Sequence, residues 1–200
     1  MEAADERAAR SGGEAVSYVD DLFYEKLMAA FADWQRPELE VQDVPVREQC
    51  RALLEREARL LDQARYREWL ELYAPECVVW VPTAAHPGDP RREVSVFFDD
   101  RRRLEDRIFR LGTGSAWSQV PPSRTVRFVS NVEPFRTDER TVLMVRSNFL
   151  LSEFRAGETR LLSGWCGHRL RRRQVGWEIE AKQLNLVERD QSLRNPSLLF

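Results

Sequence analysis

Val46–Tyr73, VREQCRALLEREARLLDQARYREWLELY, decides how the rest of this chain is read. Its apolar residues fall at Val46, Cys50, Leu53, Leu54 and Leu61, then at Tyr66, Trp69, Leu70 and Tyr73. That is helical spacing, and the residues between are mostly Arg and Glu. The pattern shifts phase across Asp62-Gln63-Ala64-Arg65, which predicts two helices at an angle rather than one rod. Only one face is apolar, so the pair must lie on something. The second half of the chain supplies it, in runs rich in Val, Phe, Leu and Trp. The prediction is an α+β fold in which helices pack on a curved antiparallel sheet, forming a cone. Such a cone encloses a pocket between sheet and helices, either open as a site or filled as core.

Upstream, Asp43-Val44-Pro45 suits a helix start with proline in the first turn. Tyr18–Trp34 carries a second helical stripe through Leu22, Phe23, Leu27, Ala30, Phe31 and Trp34. Residues 1–17 are small and charged and read as a flexible arm, leaving 18–200 as a single cone domain. Downstream, Ala74-Pro75-Glu76 breaks the helix. Cys77–Thr83 and Val94–Phe98 are short strands around a Pro- and Gly-containing loop. Asp99-Asp100 opens a helix to about Leu111. Arg124–Phe135, Arg140–Phe154, Arg160–Leu170 and Trp177–Val187 are the long strands, three or four of them antiparallel. In the last, the apolar set Trp177, Ile179, Ala181 resumes at Leu184 and Leu186. This change of parity predicts a β-bulge between Ala181 and Leu184.

Two hundred residues fit one domain. A chain of this size buries roughly 70% of its surface, enough to fold without a disulfide or metal. Charged residues make up 32%, with a net charge of -2, so neither nucleic acid nor an anionic membrane is an expected partner. Of 31 basic residues only Lys26 and Lys182 are lysines. Cys50, Cys77 and Cys166 are odd in number, scattered, and set in apolar segments, which predicts reduced core thiols and a cytoplasmic location. The chain has no run of 18 apolar residues and an acidic start without an apolar leader. No membrane span or signal peptide is expected.

Motifs that carry chemistry are sparse. Cys166-Gly167-His168 is C-x-H, half the ligand set of a Rieske cluster, but no C-x-x-H follows. Two such residues share one face of a strand, so core or lining positions are the expectation. His86 could serve as a general base if Asp99, Asp62 or Glu57 stood beside it, against an exposed loop histidine. Glu57 and Asp62, with Arg59 and Arg65 nearby, read as helix-surface pairs and caps. Arg101-Arg102-Arg103 and Arg171-Arg172-Arg173 read as solvated runs, since interleaved aromatics are missing. Nucleotide-binding, zinc-protease and nucleophile-elbow patterns do not occur. No catalytic, cofactor-binding or metal-binding residue is assigned in this chain.

Three segments nevertheless resemble one family in order. Glu57-Ala58-Arg59-Leu60-Leu61-Asp62 with Tyr66 and Glu68-Trp69-Leu70 is similar to the helical signature of beta subunits of aromatic-ring-hydroxylating dioxygenases. Ala116-Trp117, Pro121-Pro122-Ser123-Arg124-Thr125 and Val129-Ser130-Asn131-Val132 resemble its second motif, and Val145-Arg146-Ser147-Asn148-Phe149-Leu150 its third. Asn195-Pro196-Ser197-Leu198-Leu199-Phe200 is similar to its closing motif. Trp80 and Trp165-Cys166-Gly167-His168 depart from the pattern. The resemblance implies a fold of the cystatin-like, nuclear-transport-factor-like type. It implies a cofactor-free structural beta subunit within an assembly of three alpha and three beta subunits. The Rieske 2Fe-2S cluster and mononuclear iron would belong to the alpha subunit, and the complex would cis-dihydroxylate an aromatic compound in aromatic catabolism. The alternatives are a free-standing cone-fold dehydratase or isomerase with a His/Asp pair, and a small-molecule-binding cone.

The sheet half is the expected subunit interface, through Trp117, Arg124, Arg127, Asn131, Arg146 and Phe149. With Val126, Phe128, Met144 and Leu150 facing inward, Val129, Val145, Phe149 and Leu151 would lie outward among Arg and Asn. A monomer rarely exposes such a patch.

Overall fold

The computed structural model describes residues 19–85, 87–113, 120–191, 195 and 197–200. The expected arm, His86 and Trp117 lie outside the described residues. Helix α1, Asp21–Phe31, starts at Asp20, whose carboxylate accepts from the Phe23 N–H at 2.9 Å. Helix α2, Val44–Asp62, is capped in the same way by Asp43, with Pro45 in its first turn. It ends where the sequence changes phase. Ala64 adopts a φ of 54°, and the N–H groups of Ala64 and Arg65 donate back to Leu61 and Leu60. This is a Schellman closure made without glycine, and it turns the chain into the short helix α3, Tyr66–Leu70.

Strands β1 (Tyr73–Pro82) and β2 (Ser95–Asp100) follow, then helix α4 (Arg101–Gly112), capped by Asp100. The long strands are β3 (Arg124–Arg136), β4 (Val142–Arg155), β5 (Glu158–Arg172) and β6 (Trp177–Leu186). All six form one sheet in the order β2-β1-β6-β5-β4-β3. The β1–β6 pair is parallel, which corrects the antiparallel expectation for that pair. No hairpin joins these two strands, so nothing forces them to run in opposite directions. Ala74-Pro75-Glu76 lies within β1 and does not precede it. The β1–β6 register shifts across it, between Tyr73 and Val78, and such an irregularity tolerates a proline.

The expected bulge in β6 exists but sits earlier. Leu170 pairs with Ile179 and Arg169 with Ala181, so Glu180 is the extra residue. Ile179 joins the main core, whereas Ala181 packs beneath α1 on the opposite face. Both faces are covered there, and a small apolar residue cannot tell them apart. Strand β3 holds a second bulge, between Ser130 and Glu133, where Asn131 has a φ of 51°.

Helices α2, α3 and α4 cover the inner face of the sheet. Leu54, Leu61, Trp69, Val145, Leu170 and Leu184 belong to the main core between them. Helix α1 crosses the outer face and buries Leu27 against Val78, Trp80 and Ala181. Gly167 makes room for it, because a Cβ there would come within 2.8 Å of the Phe31 ring and 3.1 Å of Trp34. The helix covers only part of that face. Val126, Phe128, Leu150 and Leu161 remain 52%, 58%, 39% and 62% exposed.

The strand parity is therefore the reverse of the expectation. Val145 and Leu151 are buried in the main core, and Val129 and Phe149 pack against it. Met144 is buried, but with Trp34 and Phe135 in a separate cluster. The inversion has a physical cause. The inner face carries Arg127, Ser147 and Glu153, residues that polarity alone assigns to solvent; Glu153 is buried and Arg127 half-buried there, each in an ion pair. Strand β3 lies at the edge of the sheet, and its edge is occupied. Asp62 accepts from the Arg127 N–H and the Thr125 hydroxyl, both at 2.8 Å, and Val41 N–H donates to Pro134 O at 2.8 Å.

Candidate functional site

The most densely charged group of side chains lies inside the cone. Helix α2 directs Glu57 inward, where it is 3% exposed; the helix-surface reading is corrected, because Glu57 lies on the stripe that contains Leu54, Ala58 and Leu61. Its Oε1 accepts from Lys182 Nζ at 2.8 Å, from the Tyr73 hydroxyl at 2.5 Å and from Trp69 Nε1 at 3.4 Å. Its Oε2 stands 3.4 Å from His168 Nε2. Neither ring nitrogen of His168 has an aligned hydrogen-bond partner among the described residues. His168 and Lys182 face each other across β5 and β6.

The electrostatics follow from burial and pairing. Burial pushes the Glu57 carboxyl up, but the Lys182 ammonium beside it holds it below the usual carboxylate range. Burial lowers His168 against the pull of Glu57, so the imidazole is neutral. Burial and the Glu57 charge raise the Tyr73 hydroxyl well above its ordinary value, which keeps it protonated. Burial pushes the thiols of Cys50, Cys77 and Cys166 up to about 12, and all three are free thiols in the core. Cys166 and His168 do share a face, as strand spacing predicts. Lys182 is the cross-strand neighbour of His168. Among the described residues no group of three or more His, Cys, Asp or Glu is placed to hold a metal ion.

A carboxylate beside a neutral imidazole is the chemistry of a general base. The space beside it is small. The cavity bounded by Glu57, His168, Lys182, Phe149 and Phe200 measures about 30 Å³, room for one water. Asp62 is likewise no surface residue, since it binds Arg127 on the β3 edge. Arg127 also donates to Leu199 O, and Phe200 stacks on Phe97 with centroids 6.1 Å apart. Asn195 is held by Glu153 at 2.7 Å. Asn195, Leu199 and Phe200 are thus tied to β4, β3 and β2 in turn. Arg101 of the first arginine run is not solvated but donates to Tyr73 O and Ala74 O.

Of the six residues expected at an interface, the five that are described separate. Arg127 and Phe149 face the interior. Arg124 lies over the Phe154 ring and Arg146 over the Trp165 ring, and Asn131 is the exposed bulge residue. Lys182 and Tyr73 were missed as members of the buried cluster. Lys182 carried a signal, being one of two lysines in a chain whose other basic residues are all arginine.

An antiparallel-rich sheet curved around helices, with a closed interior, is the cystatin-like, nuclear-transport-factor-like class of cone. Within that class, residues 56–191 match the family described as ring hydroxylating beta subunit, and the chain belongs to that family. Over 96 residues it is 42% identical to the 2-halobenzoate 1,2-dioxygenase small subunit of Burkholderia cepacia, a match covering 46% of this chain. It spans only 58% of that relative's length. The beta subunit of benzoate 1,2-dioxygenase from Burkholderia mallei ATCC 23344 superimposes with a TM-score of 0.61 at 26% identity, covering 74% of this chain and 94% of that one. A structure of naphthalene 1,2-dioxygenase with indole bound in the active site shares the fold, with a TM-score of 0.70 at 21% identity over 91% and 95% of the two chains. No helix among the described residues is long and apolar enough to cross a membrane.

Proposed function

We propose that this chain is the structural, non-catalytic beta subunit of a multicomponent aromatic-ring-hydroxylating dioxygenase. It assembles with an alpha subunit that carries the Rieske cluster and the mononuclear iron, in a complex of three of each. The observation that carries the non-catalytic reading is the filled cone. Glu57 is committed to Lys182, Tyr73 and Trp69, and the cavity beside it has room for one water. A cone-fold dehydratase would meet the requirement for a histidine near a carboxylate, through His168 and Glu57, but a substrate has no room there. Family membership supports the alpha-subunit partner. The outer face of β3–β5 supports the assembly role: Val126, Phe128, Leu150 and Leu161 are exposed beside Arg124. We place the contact with other subunits on this face, since such a patch is uncommon on a monomer.

The test is co-expression with a larger subunit bearing C-x-H and C-x-x-H motifs. The expected result is a heteromeric complex with dihydroxylating activity and all of its iron in the larger subunit. Phe128→Asp and Leu161→Asp would dissociate the complex while leaving each chain folded. Stoichiometric iron retained by the isolated chain after chelation refutes the non-catalytic reading. Normal assembly of both variants refutes the placement of the interface.

A further inference from the structure

The outer face of the sheet divides into two parts. Helix α1 covers one of them, running across the strands. Leu27 lies against Val78, Trp80 and Ala181, the ring of Phe31 sits over Gly167, and Trp34 beyond the helix end packs with Phe135 and Met144. The other part is bare. The register places Phe128, Leu150 and Ser163 side by side across β3, β4 and β5. The Val187 N–H donates to Ser163 O and continues that row past the end of β6. Val126, Ser152 and Leu161 form the next row. Val187 is itself 67% exposed, so this strip carries five exposed apolar side chains, Val126, Phe128, Leu150, Leu161 and Val187. We propose that the strip is the seat of an amphipathic helix contributed by the larger subunit, one that carries a carboxylate opposite Arg124. The inference rests on the assembly role proposed above and adds the shape and charge of the partner.

The width of the strip suits a helix. Ser163 lies four residues from Gly167 along β5, roughly 13 Å at about 3.3 Å per residue. A helix is about 10–12 Å across, so a second one fits beside α1 over these two rows. Ser152 and Ser163 are small and alternate with the larger side chains, which lets a helix approach the sheet closely. The charge of the strip says which chain supplies that helix. Its two rows hold no carboxylate. Arg124, on the same face beyond Val126, is exposed, lies over the Phe154 ring at 4.5 Å, and makes no ion pair among the described residues. Two copies meeting face to face through the strip would bury both Arg124 cations against an uncharged surface, at a cost in desolvation that nothing offsets. No described helix of a second copy fits the strip either. Each exposes at most one large apolar side chain, Leu22 on α1, Val44 on α2 and Phe109 on α4. An apolar stripe and a carboxylate on one helix therefore have to come from a different chain.

The experiment uses the complex co-expressed with the larger subunit. A benzophenone photocrosslinker is placed at Phe128 in one preparation and at Val187 in another, and the captured peptides are mapped by mass spectrometry. The two positions lie three strand spacings apart, roughly 14 Å. That span covers about nine or ten residues of a helix but only about four of an extended strand. The expected result is capture of one segment of the larger subunit at two points about nine or ten residues apart, with Asp or Glu in that segment. Capture points about four residues apart, or on two unrelated segments, overturn the helix. Capture of a second copy of this chain overturns the choice of partner. Arg124→Gln is expected to weaken the complex roughly threefold to tenfold, between the worth of an exposed ion pair and that of a buried charge-assisted bond, and to flatten its salt dependence. An unchanged affinity and salt dependence overturns the carboxylate. If the label at Phe128 blocks assembly, it moves to Ser130, the next exposed position on the same face of β3, and the same spacings apply. Normal assembly of Phe128→Asp and Leu161→Asp removes the assembly role of this face, and the inference with it. Dissociation of those variants together with strand-like capture removes the helix alone.

Discussion

Replacing Lys182 by methionine keeps an unbranched side chain of similar reach and removes the charge that stabilises Glu57. The two groups are 6% and 4% exposed and 2.8 Å apart, so bulk solvent does not neutralise the charge left on Glu57. Breaking one side of such a pair costs about 3–5 kcal/mol, because the remaining charge is buried without compensation. Set against a total stability of about 5–15 kcal/mol, that is a large fraction. For a domain of this size each kcal/mol moves the melting temperature by about 2–4 °C, so the expected fall is roughly 6–20 °C. Glu57→Gln should also destabilise, leaving Lys182 as the uncompensated charge. The double variant Glu57→Gln/Lys182→Met should be more stable than the sum of the singles predicts, by at least about 1 kcal/mol, since the two residues are in contact. Urea unfolding at pH 7 measures all four corners of the cycle. Single-variant losses under about 1 kcal/mol, or strict additivity, would refute the claim that this pair is desolvated and coupled.

His168 has a folded-state pKa below its unfolded value, so the unfolded chain binds its proton first. Stability should therefore fall as pH drops through about 6.5, and level off below the folded pKa. The contribution is at most about 1.4 kcal/mol per pH unit, and it should vanish in His168→Asn measured from pH 7.5 to 5. The lowered Glu57 and Glu153 carboxyls act at lower pH, their contribution being present above the ordinary carboxylate range and lost as pH falls through their folded values. Asp62→Asn removes a charge-assisted bond to Arg127 and should cost about 1.5–3 kcal/mol in urea unfolding. Phe149→Asp should abolish folding, seen by circular dichroism, because its side chain lines the interior; Phe128→Asp should leave the isolated chain's unfolding midpoint nearly unchanged.

The helices were legible in the sequence because their periodicity and caps are local. Asp20, Asp43 and Asp100 each sit just before an apolar stripe, and the phase shift at Asp62–Arg65 marks a real Schellman turn. The long strands were legible in extent but not in facing. Strands β3 and β4 carry apolar residues on both faces, and an alternating pattern then has two readings related by one residue. What decides between them is the set of ion pairs that joins distant segments, such as Asp62 to Arg127 and Arg160 to Glu153. Glu57 was misread for the same reason. A glutamate in an Arg- and Glu-rich helix looks solvated until a lysine 125 residues later is placed against it. The bulge at Glu180 left a true parity signal, blurred by Ala181, whose side chain is too small to declare which layer it belongs to.

The edge of β3 has a bearing on how newly made chains meet one another. Thirteen residues of strand at the rim of a sheet are a ladder onto which another copy could add by backbone pairing, a route that leads to fibres and not to a closed assembly. Here a single carboxylate at the end of α2 engages the Arg127 N–H, and the 40–41 segment takes up the far end of the strand. The Arg127 N–H and the Pro134 carbonyl are thereby withheld from the backbone of another copy, while the side chains of the outer face stay free to meet partners. Loss of Asp62 would then show first in the order of association of folded chains, as growing ribbons at high concentration, before it showed in the fold of any one of them.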